Sequence, residues 1–208
     1  MRNSLSLFVV LIGVALIDSA SATRLPESAS QETQLIKQAK AGNADAFAGL
    51  YDIYIDDVYR FILHRVGNKQ TAEDLTSQVF LKAWDNLGRY KMQGLPFGAW
   101  LFRIARNSVI DHYRTYKDTL PLEAEAMFKP DPKANVVKEV ERRLEGEWLQ
   151  AVLQRLTEDQ REVLTLKFIN GLKTGEVAKI MGKRQGAIRA LQMRALQALA
   201  DLLGGDHE

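Results

Sequence analysis

The sequence predicts an all-α protein made of two small helical domains joined by a flexible linker. Three observations lead there. From Gln31 onward apolar residues recur at spacings of three and four, with no sustained alternation of the kind a strand needs. Glycines fall where those periodic runs stop, at Gly42, Gly67, Gly171 and Gly182. The period lapses over KDTLPLEAEAMFKPDPKAN, which mixes proline with Asp and Glu and reads as a linker. The chain therefore divides into an apolar extension over 1–30, a first helical domain over 31–117, a linker over 118–135 and a second helical domain over 136–208.

The extension, MRNSLSLFVVLIGVALIDSASAT, has Arg2 in front, an apolar run from Leu5 to Ile17, and small residues at Ala20, Ser21 and Ala22. That is the pattern of a secretory signal peptide. The run is shorter than the roughly 20 apolar residues of a membrane span. A start placed too far upstream is the competing explanation.

LIKQAKAG is a short helix ended by Gly42. Asn43 caps the next, in which Phe47, Leu50, Tyr51, Tyr54, Val58, Phe61 and Ile62 share a face. Gly67 and Asn68 end it. Thr71 is expected to open TAEDLTSQVFLKAWDNLGRY, with Glu73 and Asp74 suited to the positive end of the helix dipole. A loop holding Gly88, Gly94 and Pro96 leads into PFGAWLFRIARNSVIDHYRTY. Beyond the linker, a helix is expected from Val136 to Leu156. Thr157 and Gln160 then form a capping box for TEDQREVLTLKFING. KTGEVAKIMG and KRQGAIRALQMRALQALADLL follow as two helices around a glycine turn, the pattern of a helix-turn-helix.

Composition removes several classes of function. The 208 residues contain no cysteine, so thiolate metal sites and cysteine nucleophiles are absent. His64, His112 and His207 are far apart and match no metal-binding spacing. No phosphate-binding loop, dinucleotide fingerprint or nucleophile elbow occurs, and the adjacent Asp56 and Asp57 read as solvated charges. Neither an enzyme, a cofactor nor a small-molecule substrate is expected. With 26% charged residues and a net charge of only +2, any nucleic-acid binding must come from local basic patches.

Two such patches stand out. At about 100° per residue, the helix after Pro96 places Leu101, Phe102, Ile104, Ala105, Ser108, Val109, His112 and Tyr113 on one broad face suited to burial. The other face carries Trp100, Arg103, Arg106, Asn107, Ile110 and Arg114. A solvated face has little need of Trp and Ile, and a core does not take several guanidinium groups. In the last helix Ile188, Leu191, Ala195 and Leu199 form the packing stripe, while Arg189, Ala190, Met193, Arg194 and Gln197 look outward. Lys173, Lys179, Lys183, Arg184, Arg189 and Arg194 are opposed within the motif only by Glu176, a footprint suited to DNA phosphates.

AEDLTSQVFLKAW, FGAWLFRIARNSVIDHYR and LTEDQREVLTLKFINGLKTGEVAKIMGKRQGAIRALQMRAL, in that order, resemble the sigma-70 family of bacterial RNA polymerase sigma factors. The closest likeness is to the extracytoplasmic-function (ECF) subfamily, which keeps only regions two and four. The resemblance covers Gln34 to Leu203, and departs from the usual pattern at Thr157, where proline is common. It implies a sigma region 2 bundle, a sigma region 4 helix-turn-helix, and two partners, core RNA polymerase and promoter DNA. It further implies that Asp74, Gln78 and Lys82 meet the polymerase clamp. Trp100, Arg103, Asn107, Ile110 and Arg114 would then melt and read the minus-ten element, with Ile104 and Tyr90 lining a pocket for a flipped base. Trp100 also suits packing under the preceding loop, and the two roles can coexist. Lys183, Arg184, Arg189, Ala190, Met193 and Arg194 would grip and read the minus-thirty-five element. Such a protein works in the cytoplasm. A helix-turn-helix regulator that never joins polymerase and an exported or membrane-tethered helical interaction protein are the alternatives. The sequence leaves open the promoter consensus, the inducing signal and whether an anti-sigma factor binds.

Overall fold

The computed structural model of the chain describes residues 26–119 and 149–204. The run from Leu5 to Ile17, the expected linker beyond Thr119 and the start of the helix expected from Val136 lie outside them; Asp118 and Thr119, expected in the linker, are still helical. The first unit comprises α1 (Pro26–Lys40), α2 (Ala44–Val66), α3 (Lys69–Asn86) and α4 (Phe97–Thr119), with a 3₁₀ turn at Leu87–Arg89. The second begins with helical residues 149–154 and continues through α5 (Glu158–Leu164), α6 (Thr174–Met181) and α7 (Gln185–Gly204). There is no strand among the described residues.

The core of the first unit is built by α2, α3 and α4. Leu50, Val58, Phe61 and Ile62 of α2 meet Leu75, Val79 and Ala83 of α3 and Leu101, Phe102, Ala105 and Val109 of α4, all buried. Each large side chain buried this way contributes about 1.5–3 kcal/mol. The face of α4 that the periodicity marks for burial is thus the one that is buried, which leaves Arg103 and Asn107 facing out.

Local signals set the helix ends. Asn43 Oδ1 accepts the Ala46 N–H at 3.1 Å. Gly67 takes the left-handed conformation, φ 71°, and its N–H reaches Leu63 O at 2.7 Å, a closure that side-chain-bearing residues make at a cost. One expectation is corrected here. α3 opens not at Thr71 but at Lys69, because Asn68 is extended and its Oδ1 accepts the Thr71 N–H at 2.9 Å. Asn outranks Thr as a cap, and its carbonyl claims the N–H that a Thr71 cap would have left outside the helix.

In the second unit the Thr157 capping box forms as expected. Thr157 Oγ1 accepts from Gln160 N at 3.4 Å and Gln160 Oε1 from Thr157 N at 3.1 Å. α5 then widens into a π-helical turn over Thr165–Ile169, where Asn170 N–H reaches back five residues to Thr165 O at 2.9 Å. Gly182, φ 65°, makes the left-handed turn between α6 and α7. Buried Ile188, Leu191, Ala195 and Leu199 hold α7 against the unit.

The two units touch, with α6 packed on α4. Between them Glu162 of α5 lies between two guanidinium groups of the first unit: Arg106 Nε donates to Oε1 at 2.6 Å and Arg65 Nη1 stands 2.8 Å from Oε2. Arg65 also pairs with Glu158. Arg161 donates to the carbonyls of Leu153, Gln154 and Leu156 in its own unit and of Arg65 in the other. His64 Nδ1 meets Gln150 Oε1 at 2.7 Å. Asn170 Nδ2 donates to Asp57 O at 3.2 Å, and Lys179 Nζ to Gly94 O at 3.2 Å.

Candidate nucleic-acid interface

The charged face of α4 is open at Arg103, Asn107 and Arg114 but covered at Trp100. Trp100 is half-buried and tilts against Tyr90, with ring centroids 5.0 Å apart, and against Phe97 at 5.5 Å. Tyr90 is held from three sides. Its hydroxyl donates to Leu95 O at 2.8 Å, Lys40 of α1 donates to its carbonyl, and its ring meets Phe97 edge-on at 5.5 Å. Burial, with a smaller contribution from the Glu32 carboxylate, raises its phenol above the ordinary range, so it stays neutral at physiological pH. A fixed aromatic wall results.

That wall closes one end of a cleft of about 410 Å³ between α3 and α4. Arg103, Ile104 and Asn107 line it from α4, together with Ser108 and Asp111 of the following turn. Lys82, Asn86 and Arg89 line it from the α3 side, and Lys82 Nζ donates to Ser108 Oγ at 3.0 Å. Three cations against one carboxylate, an aromatic wall and two amides suit an anionic polymer whose planar base enters the cleft. Of the residues expected for the minus-ten element, Tyr90, Trp100, Arg103, Ile104 and Asn107 are therefore brought together. Ile110 is half-buried further along α4, and Arg114 is exposed and paired with Asp111 at 3.5 Å. His112 is half-buried against the Tyr113 ring.

Lys82, grouped by spacing with Asp74 and Gln78, also lines the cleft. Asn86 and Arg89 follow it at helical intervals and were missed, because which helix that stripe faces is a matter of tertiary packing. On the α3 surface Asp74 and Gln78 are exposed, with Asp74 Oδ1 accepting from Gln70 at 3.3 Å. Leu81 follows on the same stripe, 66% exposed. Tyr51 and Trp84 are also exposed; Tyr51 meets Phe80 at a tilt and Trp84 meets Phe47 edge-on, with ring centroids 4.6 and 4.9 Å apart. This apolar component escaped the sequence reading, although the i, i+4, i+7 spacing of Asp74, Gln78 and Leu81 carries it.

On α7, Arg189, Ala190, Met193 and Arg194 form one exposed face, with Met193 70% exposed. Arg184 is exposed at the turn that precedes it. Lys183 is not free: its Nζ pairs with Asp159 Oδ2 at 3.0 Å. The outward and packed faces of α7 fall where the periodicity puts them.

The chain contains a match to Sigma-70 region 2 over residues 50–119 and to Sigma-70, region 4 over residues 146–199. It is 32% identical over 174 residues to the ECF RNA polymerase sigma factor SigW of Bacillus subtilis, a match covering 79% of this chain and 92% of SigW. The chain belongs to the ECF sigma factors. This sigma factor is also 44% identical over 181 residues to BldN of Streptomyces coelicolor, covering 83% of this chain and 66% of BldN. Among solved structures it resembles CnrH in complex with the cytosolic domain of CnrY, with a TM-score of 0.67 and 27% identity over 85% of this chain and 99% of CnrH. The cleft accordingly lies in region 2 and the α6–α7 hairpin in region 4. Likeness to SigW extends well beyond the helix-turn-helix, which disfavours both a regulator independent of polymerase and an exported interaction protein.

Proposed function

We propose that this sigma factor, which directs core RNA polymerase to promoters, melts the minus-ten element at the cleft between α3 and α4. The observation that carries the reading is the cleft's lining. Extracting a base costs a few kcal/mol of stacking and pairing. A protein offsets that by stacking, by hydrogen bonds to the base edge and by holding the backbone. Trp100 and Tyr90 supply the rigid aromatic surface, Asn107 an amide for the base edge, and Arg103, Arg89 and Lys82 the phosphate contacts. Ile110 and Arg114 extend the same face along the strand.

Two further surfaces complete the proposal. Asp74, Gln78 and the exposed Leu81 dock on the polymerase. The α7 face reads the minus-thirty-five element, with Arg189, Ala190 and Met193 toward base edges and Lys183, Arg184 and Arg194 toward phosphates. Activity on chromosomal DNA places the protein in the cytoplasm; among the described residues no helix is long and apolar enough to cross a membrane. CnrH is solved with a protein bound to it, and by analogy an anti-sigma factor is a further partner.

Run-off transcription with purified core polymerase tests the melting role. Asn107→Ala and Trp100→Ala should impair initiation from duplex promoters more than from templates with a pre-melted bubble. Asn107→Ala should lose discrimination at one minus-ten base on both. Equal defects of Trp100→Ala on the two templates would show that the aromatic wall serves only folding.

A further inference from the structure

Glu162 is 1% exposed and lies between Arg106 and Arg65, both belonging to the other unit. Removing a carboxylate and guanidinium groups from water costs more than their attraction returns unless the geometry is excellent. Here it is not. The Arg65–Glu162 contact is close, yet lies outside hydrogen-bond angles and leaves Arg65 Nε without an acceptor. Such a contact specifies one arrangement of the units without making it deeply stable. Once the units part, every member of the triad regains water.

Promoter geometry requires them to part. The minus-ten and minus-thirty-five elements are about 25 base pairs apart, or roughly 85 Å at 3.4 Å per base pair. In the closed arrangement α6 of region 4 rests on α4 of region 2, and Lys179 reaches the loop that leads into the cleft. The two reading surfaces cannot then occupy both elements. Residues 120–148 join the units and, fully extended, span at most roughly 100 Å. Opening is therefore within the reach of the chain.

We propose that Glu162 is an internal counter-ion that latches region 4 onto region 2, and that its release is required for promoter engagement. In the latched state its carboxylate occupies the position of a phosphate against Arg106, whose neighbours Arg103 and Asn107 line the cleft. Release returns Arg106 to the basic face of α4, where it adds a DNA backbone contact. The latch rests on the sigma-factor reading for its consequence but not for its existence.

The chain has no cysteine, so Lys37→Cys and Asp201→Cys, at exposed sites in the two units, allow a donor and acceptor dye to report their separation in the full-length protein. Glu162→Arg should lower energy transfer while helicity is retained. The reciprocal pair Arg106→Glu, Glu162→Arg restores the 106–162 ion pair with its charges exchanged, leaves Arg65 to Glu158, and should restore part of the transfer. Glu162→Gln, which fits the same space, repeats the opening without added bulk. If the closed form holds about nine-tenths of the population, the opened variants should bind a promoter carrying both elements, as holoenzyme, about tenfold more tightly. Unchanged transfer in both Glu162 variants, or opening with no gain in promoter affinity, would overturn the latch. Failure of the unsubstituted chain to support transcription at all would instead overturn the sigma-factor reading.

Discussion

Gly98 occupies a position in the first turn of α4 where alanine should fit the helix but not the protein. A Cβ there would come 2.7 Å from Tyr54 Cε1, so about 0.7 Å of movement is needed to reach the 3.4 Å of ordinary contact. Tyr54 has little room to give. It is buried, its ring packs on Phe97 at 5.5 Å, and its hydroxyl is bonded to Glu32 of α1. Overpacking of this kind costs about 1–3 kcal/mol, and the helix preference of alanine over glycine returns at most about 1 kcal/mol. A net loss of about 1 kcal/mol should lower the melting temperature of the first unit by roughly 4–8 °C. Thermal unfolding followed by circular dichroism measures it. Because Trp100 is two residues on, the displacement should also slow promoter opening. In a Tyr54→Leu background the same substitution should cost less, and a double-mutant cycle isolates that coupling. A Gly98→Ala protein as stable as the parent, or more so, would refute the steric account.

Three other outcomes follow from the surfaces. Asp74→Ala with Gln78→Ala, and separately Leu81→Ala, should leave melting unchanged yet weaken capture of core polymerase in a pull-down at physiological salt; unaltered capture reassigns the stripe to plain solvent exposure. Arg189→Ala should cost about 1–3 kcal/mol at one minus-thirty-five base pair, whereas Arg184→Ala should weaken all sequences alike and reduce the salt slope by roughly one; a survey of single-base variants at several salt concentrations separates them. Burial, and to a smaller extent the Arg60 charge, holds the His64 imidazole below its ordinary range, against an upward pull from its hydrogen bond to Gln150. The buried form thus binds fewer protons than the exposed one, so stability should be level above about pH 6.5 and fall as pH drops below it. His64→Gln should flatten that decline in melting curves taken from pH 5 to 8.

What the sequence discloses and what it withholds divide along the range of the interactions. The caps at Asn43 and Thr157, the turn at Gly182 and the two faces of α7 depend on neighbours within a turn or two, and periodicity finds them. At Asn68 even the local signal was double, since Asn68 and Thr71 can each cap a helix and only backbone conformation chooses between them. Trp100 announced itself by standing among arginines, but the Tyr90 ring that explains it comes from a loop whose path periodicity does not describe. Periodicity sets Arg106 on the same face of its helix as Arg103 and Asn107, and its partner, Glu162, lies 56 positions away, beyond the reach of periodicity. Glu162 itself, inside DQREVL, has the look of a solvated helix residue. Gly98 likewise is a poor helix former by propensity, and the approach of Tyr54 gives it a reason.

The π-helical turn at Thr165–Ile169 bears on how this region tolerates changes in length. Such a turn takes in one residue more than an α-helical turn does, while the elements on either side keep their orientation. Here the flanking elements are committed: Glu162 and Val163 are buried before it, and Asn170 is tied to Asp57 of the first unit after it. An extra residue accommodated as a bulge leaves both commitments intact, where the same residue added to a regular helix would rotate everything downstream by about 100°. The segment is thus a place where the loss of a single codon can be absorbed without turning α7 relative to the first unit.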